Sequence, residues 1–197
     1  MKLAVDVALL LPEKINDLVI ELNQKFDSLS KLNKENNLPH ITLAMGVIDE
    51  SEIELVNNKI KEICDEFGSL NLKIEEVYHI IKPNGKKSFA FRIKLTDELK
   101  KLHGTIMKEL STIFTYDVSI DMFNQDDEVD PISTFWVENY EKKHENPDNF
   151  HAHISLKCNN DVIYDDIPIE FKASKVALCH LGDHCTCRRV LGLVELN

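Results

Sequence analysis

Apolar and polar positions alternate along the chain in blocks that switch between a period of two and a period near 3.6. Leu3 to Leu11 is an apolar run interrupted by Asp6, which predicts a strand. Pro12-Glu13 then opens a helix with Ile15, Leu18, Val19, Leu22 and Phe26 on one stripe and Pro12 at its first position. Asn36-Asn37-Leu38-Pro39 reads as a turn before a strand from His40 to Val47. Ser51-x-x-Glu54 has the form of a capping box, and Ile53, Val56, Ile60, Ile63 and Phe67 continue as a helix that stops at Gly68.

Strands follow from Leu70 to Lys82 and from Ser88 to Leu95, joined at Pro83-Asn84-Gly85, because Phe89, Phe91, Ile93 and Leu95 alternate with polar residues. Thr96-Asp97-Glu98 caps a third helix carrying Leu99, Leu102, Ile106, Leu110 and Ile113. The acidic stretch Asn124-Gln125-Asp126-Asp127-Glu128 reads as a loop or a connection between lobes. Asp130-Pro131 opens a fourth helix with Phe135, Trp136 and Tyr140. His151 to Cys158 is a short strand, and Ile169 to Cys179 pairs with Cys185 to Leu196 through a turn at Gly182-Asp183. Helices mixed with hairpins predict an α+β chain with largely antiparallel sheets, and the early and late halves hint at two related lobes.

Composition narrows the class. A chain of 197 residues with 43% apolar and 29% charged residues can build one ordinary core. No apolar run approaches the roughly 20 residues that span a bilayer, and the N-terminus does not read as a signal peptide. Lys plus Arg number 23 against 34 acidic residues, a net charge of −11 that disfavours long nucleic acid but not a small anion in a cleft. Five cysteines without a secreted spacing predict reduced thiols and a cytoplasmic setting.

The candidate chemistry lies in two matched strands, His40-Ile41-Thr42-Leu43 and His153-Ile154-Ser155-Leu156. A bare His-x-Thr/Ser is a weak signal, since His103-Gly104-Thr105 and His184-Cys185-Thr186 share it. The flanking Ile and Leu separate the first two: in a strand, His and the hydroxyl residue share one face while the aliphatics anchor the other. Extended further, the alternation places His151, His153, Ser155 and Lys157 on one face, and His40, Thr42, Ala44 and Gly46 on another whose small residues leave room for a ligand. Where two such faces meet, two imidazoles can serve as base and acid for a phosphodiester, and two hydroxyls can donate to its non-bridging oxygens. Such chemistry requires no cofactor and no metal.

Leu38-Pro39-His40-Ile41-Thr42-Leu43-Ala44-Met45-Gly46 and Phe150-His151-Ala152-His153-Ile154-Ser155-Leu156 resemble the motifs of the two-histidine (2H) phosphoesterase superfamily, which includes RNA 2',3'-cyclic phosphodiesterases and 2',5' RNA ligases. The strand ending in Leu11-Pro12 extends the likeness over most of the chain. The resemblance implies a single bilobal domain over residues 1–197, with pseudo-symmetric lobes around a central cleft and one motif per lobe. It also implies metal-independent cleavage of a 2',3'-cyclic or 2',5'-linked phosphodiester, with His40 and His153 as the acid–base pair and Thr42 and Ser155 holding phosphate. Ala152, where the second motif often has Pro, and Lys157, where a small residue is common, depart from the pattern. The expected partner is a small nucleotide or an RNA end, bound by a monomer, with no membrane and no long nucleic acid.

Other assignments stay open. Lys157 is either a point charge for phosphate or a solvated side chain, and His151 either supports the site or is merely exposed. Of the consecutive Arg188 and Arg189, at most one can face an anion. His180, His184, Cys185 and Cys187 have zinc-ligand chemistry at poor spacing, and Trp136 and Tyr140 read as core rather than a stacking platform. Two rival functions therefore remain: a non-catalytic module that binds a phosphorylated nucleotide, and a small zinc protein organised by the late hairpin. No phosphate-binding Gly-rich loop of either common type occurs.

Overall fold

The structure is a computed structural model that describes residues 1–197 apart from 27, 29, 82–84, 86, 127, 145 and 159–161 and the side chains of 80 and 147. Eight strands are described: β1 (Lys2–Leu10), β2 (His40–Asp49), β3 (Leu70–Ile81), β4 (Lys87–Ile93), β5 (His153–Ser155), β6 (Ile169–Ala173), β7 (Lys175–Gly182) and β8 (Thr186–Glu195). The helices are α1 (Glu13–Lys25), α2 (Ile53–Cys64), α3 (Asp97–Leu110), α4 (Ile132–Glu138) and α5 (Tyr140–His144). The strands form two four-stranded sheets of order β2-β1-β7-β8 and β5-β4-β3-β6, antiparallel throughout. The expected α+β architecture with antiparallel sheets is thus present. Each histidine motif occupies an edge strand, β2 in one sheet and β5 in the other, and the two edges touch.

Amphipathic helices build the core on the outer faces. Val56, Ile60 and Ile63 of α2 and Leu99, Leu102 and Ile106 of α3 are buried, and both helices pack on the first sheet. Burying such a side chain contributes roughly 1.5–3 kcal/mol, so these stripes hold the sheet from behind while its other face remains available for a site. The Thr96 hydroxyl caps α3 by accepting from the Leu99 amide at 3.2 Å.

Several local expectations change. Pro12 is the N-cap of α1 rather than its first residue. The capping box is Asp49 with Glu52, at the start of a 3-10 turn over 50–52, not Ser51 with Glu54. Asn139 divides the expected fourth helix into α4 and α5. The late strand splits at Ser174: β6 pairs with β3 in the second sheet, while β7 continues between β1 and β8 in the first. The first sheet therefore combines strands from both ends of the chain, β1-β2 and β7-β8, while the second is built from the consecutive strands β3 to β6. The second motif strand is also shorter than expected, with His151 before it and Lys157 beyond it in a left-handed conformation, φ 55°. Pro83-Asn84 and Asp127 lie outside the described residues.

Candidate active site

Register brings the site together. On the cleft face of the first sheet Leu10 opposes His40 and Ala8 opposes Thr42; in the second, Arg92 opposes His153 and Ala90 opposes Ser155. An alanine beneath each hydroxyl residue keeps both pairs clear of bulk. Past Thr42, β2 carries a bulge: Ala8 pairs with Thr42 and Val7 with Ala44, leaving Leu43 without a partner in the β1 ladder. His103, fully buried on α3, fills that gap through Nδ1 at 2.7 Å from the Leu43 carbonyl, and its ring stacks on Phe150 at 3.8 Å. His103 is thus a structural histidine, and burial lowers its pKa.

The bulge overturns the expected face of small residues. Ala44 is buried in the core, and the space beside Gly46 is filled by Phe114, whose ring would lie 2.5 Å from any Cβ there. Met45 takes the cleft-facing position instead.

His40, Thr42, His153 and Ser155 all line one cavity of about 410 Å3 between the sheets. Both imidazoles are held in the same way. Nδ1 of His40 lies 2.7 Å from the Leu38 carbonyl, and Nδ1 of His153 lies 2.9 Å from the His151 carbonyl, in each case two residues upstream. A carbonyl only accepts, so each Nδ1 carries hydrogen, and Nε2 is left as the nitrogen for proton transfer. His151 itself is exposed at an adjoining cavity with Tyr78 and Arg92, and serves the site through its backbone oxygen.

The two histidines differ in surroundings. His153 keeps part of its ring at the cleft surface while protein crowds it elsewhere, and this desolvation pushes its pKa down to about 4. The His151 hydrogen bond pulls the other way, and nearby His40, Lys157 and Lys143 add to the lowering. His40 instead faces Asp6: Nε2 lies 3.5 Å from Oδ2, and the Thr42 hydroxyl donates to the same oxygen at 2.7 Å. Thr42 therefore reaches a phosphate oxygen as a donor only by rotating away from Asp6.

Asp6 is the residue that sequence reasoning passed over as a site member. It is fully buried, and among the described residues its Oδ1 has no hydrogen-bond partner. A buried carboxylate with one orphaned oxygen costs several kcal/mol, so packing does not account for it. The signal was present as the single charge inside the first apolar strand.

Lys157 lines the cavity and is buried, which lowers its pKa; its ammonium donates to the His184 carbonyl. Tyr140 is buried in the core as expected and also lines the cavity, whereas Trp136 is only partly buried and forms the cavity wall with the 43% exposed Phe135; Lys143 lies 5.2 Å from the Trp136 ring. The late His/Cys cluster is not assembled: His180 bonds the Met122 carbonyl at 3.0 Å, and the Cys185 thiol lies 3.6 Å from the Ser133 carbonyl. Arg188 donates to the Asn36 carbonyl at 2.9 Å, steadying the turn before β2.

Among solved structures, the fold matches TT0787 of Thermus thermophilus with a TM-score of 0.64 and 13% identity over 98% of each chain. It matches E. coli LigT in complex with NADP+ with a TM-score of 0.60 and 13% identity, covering 100% of this chain and 99% of LigT. A protein described as a phosphoesterase matches with a TM-score of 0.60 and 12% identity over 100% of this chain and 99% of its own. No family model and no curated protein sequence matches. The chain has the bilobal fold of the two-histidine phosphoesterases, and at such identities the likeness concerns the fold. Among the described residues, no helix is long and apolar enough to cross a membrane.

Proposed function

We propose that the protein is a phosphodiesterase that opens a 2',3'-cyclic phosphate, or cleaves a 2',5' linkage, on a nucleotide or short RNA end. The observation that carries this reading is the pair of imidazoles with Nδ1 tied to the carbonyl two residues upstream and Nε2 left for one shared cavity. His153, with its pKa near 4, is neutral at neutral pH, and its Nε2 lone pair takes the proton of an attacking water. As the phosphorus–oxygen bond to the ribose breaks, His40 gives the Nε2 proton to the departing oxygen, and Asp6 at 3.5 Å stabilises the imidazolium that holds it. The Ser155 hydroxyl and the Lys157 ammonium supply hydrogen bonds and charge to the non-bridging oxygens. Acid, base and donors all come from side chains, so no step calls for a metal.

The cavity favours a small anion within an acidic protein, because Lys143 and Lys157 and both imidazoles concentrate there. Its aromatic wall suits a nucleobase, whose stacking is worth roughly 1–3 kcal/mol. E. coli LigT has been solved in complex with 3'-AMP, ATP and NADP+, which supports a nucleotide as the ligand class. The reading further places a monomer in the cytoplasm, acting on RNA ends.

The test is turnover, in the presence of EDTA, of a panel of 2',3'-cyclic nucleotides and 2',5'-linked oligonucleotides by the wild type, His40→Ala and His153→Ala. Turnover of a panel member that is lost in both variants establishes the mechanism. Nucleotide binding without turnover of any member would replace it with a non-catalytic binding module.

A further inference from the structure

We propose that Asp6, His40 and Cys187 form a binding site for a thiophilic divalent cation, Zn2+ first among them, and that the bound cation inhibits the enzyme. A carboxylate oxygen of Asp6, a ring nitrogen of His40 and Sγ of Cys187 all lie within 4.8 Å of one another. A tetrahedral Zn2+ with bonds of about 2.0–2.3 Å spaces its ligands roughly 3.3–3.8 Å apart. The pair His40 Nε2 and Asp6 Oδ2, at 3.5 Å, already has that spacing. Side-chain adjustment of about an ångström at Cys187 completes the triad.

The fold creates this juxtaposition. Leu38, just before β2, forms an isolated bridge to Cys187 of β8, with its amide 3.2 Å from the Cys187 carbonyl. The two edges of the first sheet thereby curl towards each other. Cys187, remote in sequence, is carried beneath His40 and is fully buried. Asp6, on the strand between, is fully buried too, with Oδ1 unpartnered among the described residues. An unsatisfied buried acceptor beside an imidazole and a thiol is what a cation would satisfy. Cys179 is hydrogen-bonded to Cys187, so a second sulfur stands next to the first.

The donor set selects the metal. Imidazole, carboxylate and thiolate together suit Zn2+ and exclude Mg2+ and Ca2+, which prefer all-oxygen sites. Three protein ligands leave a fourth position, on the side where His40 meets the cavity, for water or an anion. Binding releases the Cys187 thiol proton to solvent and forms the metal–sulfur bond, with no change of oxidation state. His40 then has no Nε2 lone pair left to carry a proton, so the acid step stops. The inhibitory half of this inference rests on the proposed role of His40; the binding half does not.

The experiment starts from chelator-stripped, dialysed full-length protein. Calorimetric titration with ZnCl2 is expected to show one saturating equivalent, and Co2+ is expected to give a thiolate-to-metal charge-transfer band. Cys187→Ser and Cys187→Ala, each checked by thermal melting, are expected to lose the band and to bind Zn2+ at least roughly tenfold more weakly. Zn2+ at one equivalent is expected to suppress turnover of the 2',3'-cyclic substrate, EDTA to restore it, and both Cys187 variants to turn over yet resist Zn2+. Absence of saturable binding, or equal binding by wild type and both variants, overturns the site; Zn2+ that raises turnover overturns the inhibition. If no panel substrate is turned over, the functional reading fails while titration and the Co2+ band still decide the site.

Discussion

The two motif strands are near copies, and their neighbours are not. His40 and Thr42 lie opposite Leu10 and Ala8, while His153 and Ser155 lie opposite Arg92 and Ala90. Two residues further back on the same face, the first sheet has Asp6 and the second has Ser88, both buried. One imidazole therefore faces a carboxylate, and the other sits in a desolvated wall that pushes its pKa down to about 4. In the proposed mechanism this difference in surroundings is what assigns acid and base to two chemically identical side chains. The matched motifs supply the pair, and Asp6, whose place in the second sheet is taken by Ser88, supplies the direction in the proposed mechanism.

The largest test of this asymmetry removes each imidazole. His40→Ala and His153→Ala should each lower kcat/KM by about 10²–10⁴-fold on a ribose substrate. A nitrophenyl phosphodiester, whose leaving group needs no proton, should recover much of the activity of His40→Ala and little of that of His153→Ala. Equal recovery in both would reverse or void the assignment. The next largest concerns the carboxylate: Asp6→Asn should cost roughly tenfold or more in kcat, less than loss of the imidazole itself. The same substitution removes a poorly satisfied buried charge, so urea denaturation should show stability unchanged or higher by about 1 kcal/mol. A variant both slower and clearly less stable would make Asp6 structural.

A smaller effect follows from moving the charge to the other side. Wild-type kcat/KM should fall on the acid side as His153 takes up a proton near pH 4. Ser88→Asp should move that limb to higher pH, because a carboxylate lining the same cavity as His153 favours its charged form. An unmoved limb would separate Ser88 from the histidine. Smallest is the effect on folding. His144 and His153 both have pKa values lowered to about 4, chiefly by burial, against about 6.5 in an unfolded chain. Between those values the unfolded chain binds more protons, so this contribution is fully present above about pH 6.5 and is lost as pH falls towards 4. Urea midpoints at pH 7 and pH 5 should differ accordingly, and by less in His144→Phe.

Much of this molecule was legible from local pattern. Helices α1, α2 and α3 announce themselves because an apolar stripe at 3.6-residue spacing has one stable use, and the matched motifs stand out because strand alternation places His and hydroxyl together. That His40 and His153 share a cavity follows the same logic at one remove. The parts that were not legible depend on partners distant in sequence. The bulge at Leu43, stabilised by His103 sixty residues away, turns Met45 rather than Ala44 into the cleft. Ser174 divides what reads as one strand between two sheets, a choice made by β3 and β1 competing for pairing on either side. Trp136 shows the same limit, because a helical stripe of aromatics looks alike whether it covers a core or a cavity.

The sequence by itself determined most element types, the α+β class and the candidate His and hydroxyl pairs, since these rest on periodicity and residue chemistry within a few positions. The tertiary structure alone decided which imidazole meets Asp6, that Thr42 is bonded to that carboxylate, and that Cys187 comes to lie beneath His40. The physical reason is that hydrogen-bond register and sheet curl are fixed by the whole set of strands packing at once. A single residue's slip in register would send each of these side chains to the other face.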